Sequence, residues 1–208
     1  AIREIRRNVL RSFLTILGIV IGVAAVIVMV TLGQGATAQV KTQIESLGSN
    51  LLIVRPGQRM GPGMSSDAPR FAMADVLALR RQVPALAAVA PAASQAMTAV
   101  VGNENWSTSV TGTDNAYLAA RNWTMAAGRP FTEGELRAGK AACIIGATVR
   151  KELFGAQDPI DQRLRLKNLS CEIVGLLQDK GQSSMGMDQD DLVLMPLRTL
   201  QRRIKGDQ

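Results

Sequence analysis

The sequence predicts an α+β domain of mixed strands and short helices, preceded by one N-terminal transmembrane helix that is extended as a stalk. Three observations indicate this fold class. Residues 13–32 contain no charged residue, Asn, Gln or Pro, residues 33–48 keep a helical spacing of apolar positions, and residues 49–208 alternate short strand-prone and helix-prone stretches. We therefore divide the chain into a basic segment (1–12), a membrane helix (13–32), a stalk helix (33–48) and a mixed α+β core domain (49–208).

The basic segment predicts the orientation of the chain in the membrane. The net charge is +7, and the first 12 residues carry +3 of it, because Arg3, Arg6, Arg7 and Arg11 are opposed only by Glu4. Because positive flanks stay on the cytoplasmic side, we expect a cytoplasmic N-terminus and an exported core domain. Apolar residues at helical spacing favour an amphipathic helix on the cytoplasmic surface, although a plain basic flank explains them equally well.

The apolar run has the length of a bilayer-spanning helix. Twenty residues at about 1.5 Å each span roughly 30 Å, the thickness of the hydrocarbon core. Gly18 and Gly22 form a G-x-x-x-G pair that would admit another membrane helix closely, although glycine is also frequent in membrane helices without such a role. A cleaved signal peptide with Ala36-Thr37-Ala38 as its site is less favoured, because the apolar run exceeds the usual signal length of about 7–15 residues.

Turn and capping residues divide the first half of the core domain. The predicted elements, in order, are a strand over Leu51–Val54, a loop over 55–70, a helix over Met73–Gln82, strands between Leu86 and Thr113 that turn at Gly102-Asn103, a helix near Ala116–Arg121 and an extended piece through Trp123. The loop is predicted from its three Gly and three Pro.

The second half continues the mixture. Thr132 and Glu135 form a capping box for a short helix. The predicted elements that follow are a buried strand over Cys143–Ile145, a helix over Ala147–Phe154 ended by Gly155, a hairpin of Arg163–Lys167 with Cys171–Leu177 turning at Asn168–Ser170, a strand over Leu192–Met195 and a last helix from Pro196.

Composition excludes the commonest catalytic sites. The chain has no His, so it has no Ser-His-Asp or Cys-His nucleophile system and no His-ligated metal. Neither G-x-x-x-x-G-K-[ST] nor G-x-G-x-x-G occurs, so the chain has no phosphate cradle of these types. We expect no enzyme activity and no cofactor in these residues.

Three clusters remain as candidate sites. Asp188, Asp190 and Asp191 are better explained as solvated or capping carboxylates than as Ca²⁺ ligands, because no EF-hand loop surrounds them. Arg163, Arg165 and Lys167 alternate with leucines on one strand, which favours a solvent-facing strand over nucleic-acid binding because no aromatic residue lies among them. Cys143 and Cys171 are either a disulfide or two buried free thiols, of which the thiols are favoured.

The pattern as a whole resembles the MacB-like ABC transporter permeases. The resemblance covers almost the whole chain, and the matching segments are Arg6–Thr15, Gly18–Val26, Leu47–Val54, Gly102-Asn103 with Trp106, Gly112-Thr113, Arg121-Asn122, Gly128–Thr132, Leu153–Gly155 with Asp158-Pro159, and Asp188–Asp191 with Pro196, Thr199 and Gly206. The resemblance gives no role to Asn103, Trp106, Asp188, Asp190 or Asp191 individually.

The resemblance implies a permease subunit of the bacterial inner membrane. Its periplasmic domain would follow the first membrane helix, and further membrane helices would return after it. It implies a dimer, a cytoplasmic ATPase domain or subunit that holds ATP and Mg²⁺, and a periplasmic adaptor with an outer-membrane channel. Such permeases convert ATP hydrolysis into periplasmic movement for export or efflux, and relatives release lipoproteins or regulate cell-wall hydrolases. The 208 residues are then expected to be a fragment.

Two other functions remain open. A single-pass inner-membrane protein with a periplasmic binding or sensing domain would show the same membrane helix, and it differs only in lacking further apolar runs downstream. An anchored enzyme is disfavoured, because no nucleophile is paired with a base.

Overall fold

The computed structural model describes residues 9–46, 51–56, 71–183 and 186–205. They form two units, Ala1–Glu45 and Ser46–Gln208, which we describe separately. The predicted fold class is confirmed, with one apolar helix before a mixed domain of strands and short helices. Most of the predicted loop over 55–70, the predicted end of the stalk helix at residue 48 and most of the basic segment lie outside the described residues.

The described residues of the first unit form one helix, α1, over Val9–Ser46. Its 38 residues span about 57 Å at 1.5 Å per residue, almost twice the hydrocarbon core. Phe13–Thr37 is apolar enough to cross a membrane, with a mean hydropathy of 3.0. The hydroxyls of Thr15, Thr31 and Thr37 each donate to the carbonyl four residues earlier at 2.8 Å, so they are satisfied within the helix. The helix passes without a break through the predicted boundary between residues 32 and 33.

The second unit contains seven strands and several short helices among its described residues. They are α2 (Met73–Gln82), β1 (Ala93–Val101), β2 (Glu104–Thr113), α3 (Ala116–Ala120), β3 (Met125–Gly128), α4 (Glu133–Ala138), β4 (Ala142–Ile145), α5 (Ala147–Phe154), β5 (Arg163–Leu166), β6 (Leu169–Leu177), β7 (Leu192–Pro196), α6 (Leu197–Thr199) and a π-helical turn over Leu200–Lys205.

Six of these strands close into a barrel. The sheet order is β3-β6-β4-β7-β2-β1-β5, and β5 pairs again with β6. Strand β6 carries β4 along one edge, with β5 and then β3 along the other. The β2–β7 and β4–β6 pairs are parallel and the others antiparallel. Closure gives each of the six strands two neighbours, and β3 extends the sheet outside the ring.

Two apolar clusters explain which strands are buried on both faces. An inner cluster fills the barrel and includes Cys143, Ile145, Val193 and Met195 with α5 side chains. An outer cluster packs Trp123 and Phe131, with other side chains, against the opposite face of β4, β6 and β7. Strands β4 and β7 are therefore buried at every position, which is why they read as continuous apolar runs.

Strand β5, in contrast, has one face in the barrel and one face in solvent. Leu164 and Leu166 of β5 are 0% exposed and belong to the inner cluster, whereas Arg163 and Arg165 are exposed. The solvent-facing interpretation of this basic strand is therefore confirmed. The hairpin itself differs from the prediction, because its turn is Lys167-Asn168, with φ +51° at Lys167, rather than Asn168–Ser170. Leu169 packs against the inner cluster, which draws it into β6.

Two other predictions about strands are wrong. Residues 51–56 form no strand, because nothing among the described residues pairs with them, and β propensity alone does not hold a strand. Conversely, β3 was expected only as an extended piece ending at Trp123. Three of its four residues are Ala or Gly, which have weak strand propensity. Its pairing with β6 brings Gly128 (φ +73°) against the backbone of Val174 and Gly175.

Candidate functional site

The two cysteines form a disulfide in the core of the barrel. Cys143 lies in β4 and Cys171 in β6, their Cα atoms are 5.9 Å apart, and they are 0% and 1% exposed. The sequence alone favoured two free thiols, because it did not reveal that these strands are neighbours. Their parallel pairing supplies the proximity that the bond requires.

Residues of the family motif that are far apart in sequence meet at the end of the β1–β2 hairpin. Gly102-Asn103 forms the predicted turn between the two strands. Trp106 follows on β2, and its indole Nε1 donates a hydrogen bond to Asp191 Oδ1 at 3.0 Å across 85 residues of sequence. The predicted positions Trp106 and Asp191 are therefore direct partners, and they tie the hairpin to the segment before β7.

The other two aspartates fasten the same segment to its surroundings. Asp188 Oδ2 accepts from Thr148 Oγ1 of α5 at 2.6 Å, and its Oδ1 accepts from the Asp190 amide at 2.8 Å. Asp190 is 2% exposed and accepts from the amides of Lys180 and Gly181, the latter at 2.7 Å. All three carboxylates thus bind donors of the chain itself, and the described residues hold no His, Cys, Asp or Glu cluster suited to a metal ion.

Sequence reasoning missed the cation that faces this segment. Lys180 Nζ donates to the carbonyl oxygen of Arg121 at 2.7 Å and lies 4.4 Å from the ring centroid of Trp123. An ammonium over an indole face is a stabilising cation–π contact. Burial lowers the pKa of Lys180, while the nearby Asp190 opposes that shift. Nothing in the local sequence indicates this contact, because its members lie about 60 residues apart.

Asp190 and Asp179 form a carboxylate pair around one amide. The Gly181 amide donates to Asp190 Oδ2 at 2.7 Å and to Asp179 Oδ1 at 2.8 Å. Burial, followed by the hydrogen bond with Asp179, raises the pKa of Asp190 to about 6. The same hydrogen bond lowers the pKa of Asp179. The pair therefore holds one proton more readily in the folded state than in an unfolded chain.

The titration of Asp190 makes stability depend on pH. Because its pKa is higher in the folded state, its stabilising contribution is complete below pH 4 and is lost as the pH rises through about 6. We expect Asp190→Asn to gain about 1 kcal/mol relative to the parent chain between pH 4.5 and 7.5, measured by urea unfolding. Asp188→Asn removes a carboxylate of the same segment and serves as the control. An Asp190→Asn effect that is the same at both pH values would contradict the assignment.

A second ordered carboxylate lies at the start of α4. Thr132 Oγ1 accepts from the Glu135 amide at 3.3 Å, and Glu135 Oε2 accepts from the Thr132 amide at 2.8 Å, which confirms the predicted capping box. Arg129 adds a two-pronged ion pair, with Nη1 and Nη2 donating to the two Glu135 oxygens at 2.9 and 2.8 Å. Principally through the Arg129 hydrogen bond, the pKa of Glu135 falls to about 2.

The ion pair should stabilise the fold except in acid. A depressed carboxylate pKa contributes stability above about pH 4.5, and that contribution is lost as the pH falls towards 2. Arg129→Ala should therefore cost about 1 kcal/mol at pH 7, a modest value because the Arg129 side chain is 48% exposed. The cost should shrink progressively between pH 4.5 and 2 in denaturant titrations. Arg137→Ala, on the same helix as Glu135, is the matched control. A cost of Arg129→Ala that does not change with pH would contradict the prediction.

The residues predicted to act in or near the membrane are exposed on α1 where the structure describes them. A Cβ added at Gly18 or at Gly22 would meet no atom within 4 Å, so both positions are open in the single chain. Arg11 is exposed in the first turns of α1, whereas Arg3, Arg6 and Arg7 lie outside the described residues. Membrane-helix packing at the glycines and orientation by the arginines therefore remain predictions.

Known proteins are similar to this chain over almost its full length. Residues 12–208 match the family model of the MacB-like periplasmic core domain. A macrolide export ATP-binding/permease protein MacB from Syntrophobacter fumaroxidans is 37% identical over 99% of this chain, and one from Rhodospirillum rubrum is 39% identical over 98%. The chain spans only 29% and 31% of the length of these two relatives.

Solved structures share the fold. The periplasmic region of MacB from Actinobacillus actinomycetemcomitans matches with a TM-score of 0.62 at 18% identity, covering 78% of this chain and 72% of that one. The extracellular domain of the ABC-type transporter YknZ from Gram-positive bacteria matches with a TM-score of 0.56 at 22% identity, covering 65% and 67%. With the full-length family match, these findings identify the fold and the family. The chain belongs to the MacB-like periplasmic core domain family.

Proposed function

We propose that this chain is the first membrane helix and periplasmic core domain of a MacB-type ABC permease. It couples ATP hydrolysis in the cytoplasm to conformational change in the periplasm, and so drives the export of a substrate. The observation that carries the proposal is the similarity over 98–99% of the chain to proteins named as macrolide export ATP-binding/permease proteins.

Two independent features support the orientation. The basic residues before α1 favour a cytoplasmic N-terminus in the bacterial inner membrane. The Cys143–Cys171 disulfide favours an oxidising compartment for the core domain, because such bonds are rare where thiols are kept reduced. Both features favour a periplasmic location for the core domain.

The architecture suits the transmission of movement. Helix α1 is unbroken from Val9 to Ser46, so about 27 Å of it extends beyond a 30 Å hydrocarbon core. The barrel is filled by the inner cluster, and a disulfide joins its neighbouring strands β4 and β6, so it can move as a rigid body. A packed six-stranded barrel leaves no lumen for a substrate. The core domain therefore acts by changing position rather than by conducting a molecule through itself.

The proposal includes partners that supply what the chain does not. A cytoplasmic ATPase domain or subunit binds ATP and Mg²⁺, and a second permease copy packs in the membrane, with Gly18 and Gly22 as the close-approach face. A periplasmic adaptor and an outer-membrane channel receive the exported substrate. The names of the relatives make macrolides the first substrate class to test.

A resistance assay on the full-length protein tests this function. Expression in a macrolide-sensitive, efflux-deficient bacterium should raise the inhibitory concentration of a macrolide at least fourfold. Inactivating the ATPase should abolish the gain. A gain that persists without ATPase activity would contradict the proposal. A coding sequence that stops at residue 208, without further apolar runs of about 20 residues, would instead favour a single-pass binding or sensing protein.

A further inference from the structure

Strand β1 is only partly covered along one of its two edges. On one side β2 pairs with the whole of β1, Ala93–Val101. On the other side β5 pairs only with Ala99 and Val100. The β5–β6 hairpin turns back at Lys167-Asn168, so it ends before it reaches the first half of β1. Among the described residues, no strand pairs with Ala93–Thr98 on this side.

The hairpin register shows which backbone groups lie at this open edge. Val101 and Glu104 flank the two-residue turn, and residues in that position exchange both of their backbone hydrogen bonds. Because bonded and non-bonded pairs alternate along an antiparallel ladder, the N–H and C=O groups of Ser94 and Ala96 point away from β2. The side chains agree, since Ser94 Oγ lies 2.8 Å from Thr111 Oγ1 across one of the closely spaced non-bonded pairs.

This edge lacks the features that usually protect an open strand. Natural proteins block such edges with proline, a bulge or charged side chains. Residues 93–98 contain no proline and no charged residue, and their register with β2 runs without a bulge. The side chains on their solvent face, Ser94, Ala96 and Thr98, are small and exposed, so the backbone beside them is accessible. The distance from Ser94 to Thr98 is about 14 Å at 3.4 Å per residue, which accommodates an added strand of about five residues.

The charge beside this edge is positive. A groove on this surface is lined by Ala96, Met97, Thr98, Val100, Arg165 and Lys167. Arg165 and Lys167 are exposed, and they are the charged members of the lining, which contains no Asp or Glu. An anionic group that enters the groove therefore meets two cations whose charge no carboxylate of the lining offsets.

We propose that the open edge of β1, residues 93–98, binds an extended acidic peptide segment of a partner protein as an added strand. The peptide backbone bonds the N–H and C=O groups of Ser94 and Ala96, and its carboxylates contact Arg165 and Lys167. Main-chain bonding supplies affinity that depends little on sequence, while the flanking charges select the partner. Charge complementarity favours this occupant over the same edge of a second copy, because residues 93–98 contain no carboxylate. Binding at this edge does not depend on ATP hydrolysis or export.

Fluorescence anisotropy on the full-length protein, in nanodiscs of phosphatidylcholine, tests the charge preference. The acidic probe is a labelled peptide of about nine residues that alternates Val and Thr between Glu pairs, and the basic probe has Lys in place of Glu. The acidic probe should bind at least tenfold more tightly. Arg165→Gln combined with Lys167→Gln should weaken its binding at least tenfold. Arg163→Gln is the matched control and should change binding less than twofold, because Arg163 lies outside the groove and opposite Glu172.

Ala96→Pro distinguishes strand pairing from simple charge attraction. Proline removes the Ala96 N–H, which points away from β2, so the β1–β2 ladder keeps its bonds. The variant should lose binding of the acidic probe, whereas Ala96→Val keeps the N–H and should retain it. Urea unfolding of both variants checks that the core domain is folded. Undiminished binding by a folded Ala96→Pro variant, equal binding of the two probes, or no binding of the acidic probe would overturn the proposal.

Hydrogen–deuterium exchange on the unsubstituted protein makes the test independent of any variant. Without probe, the amides of Ser94 and Ala96 should exchange at least 100-fold faster than those of Gln95 and Met97, which bond β2. A saturating concentration of the acidic probe should slow the Ser94 and Ala96 amides at least tenfold. Slow exchange of these two amides before the probe is added would mean that a second copy or the rest of the polypeptide already occupies the edge. Either that result or unchanged exchange with the probe would overturn the proposal.

Discussion

Val40→Pro in the full-length transporter is expected to reduce export at least tenfold while ATP hydrolysis stays within about twofold of the parent rate. Residue 40 lies in α1 beyond the candidate membrane span, where the backbone is continuously helical. Proline removes one backbone hydrogen bond and clashes with the preceding turn, which kinks or breaks a helix at a cost of about 3 kcal/mol. If α1 transmits movement, a hinge at this point separates hydrolysis from export.

The matched control is Val40→Ala, which keeps the helix and should retain export. Drug export and phosphate release are measured on the same preparations, so that lost expression is not mistaken for lost coupling. Undiminished export by Val40→Pro would show that a rigid α1 is unnecessary. Equal loss of export and hydrolysis would show that the substitution damages assembly instead.

Removal of the disulfide is expected to have the largest effect on stability. Replacing both Cys143 and Cys171 by Ala should lower the free energy of unfolding by about 3–4 kcal/mol, because the bond closes a loop with a sequence separation of 28 residues. Urea unfolding followed by tryptophan fluorescence measures this loss well, because both tryptophans, Trp106 and Trp123, lie in the core domain.

The unsubstituted chain under reducing conditions is the control for side-chain volume. It keeps both sulfur atoms but loses the bond, so it should show most of the same loss. A double variant as stable as the oxidised parent would mean that the bond contributes nothing. A loss in the variant without a loss on reduction would assign the effect to the cavity left in the inner cluster.

Local chemistry accounts for most of what the sequence could predict. The Gly102-Asn103 turn, the Thr132–Glu135 capping box and the Gly155 helix end each depend on residues within a few positions of one another. The double-sided burial of β4 was also foreseeable from its unbroken apolar run. These features need no knowledge of which strands are neighbours, and the structure has them where they were expected.

Non-local contacts account for what the sequence did not reveal. The disulfide requires β4 beside β6, and β3 exists because β6 offers it an edge. The pairing of β3 with β6 also brings Lys180 to Trp123. Leu51–Val54 is the converse case, because its strand propensity is strong but none of the described residues supplies a partner. At all of these places the tertiary arrangement decides the structure, and local propensity does not.

We expect the core domain to change position with the nucleotide state of the transporter. The direct measurement is the distance between nitroxide labels on the two copies of the proposed dimer of the full-length protein in nanodiscs, attached at Lys167→Cys on the exposed β5–β6 turn. Electron–electron resonance should show a shift of at least about 5 Å between the nucleotide-free state and the vanadate-trapped ATP state. An identical distance distribution in the two states, on preparations that hydrolyse ATP and export substrate, would show that export does not require movement of the core domain.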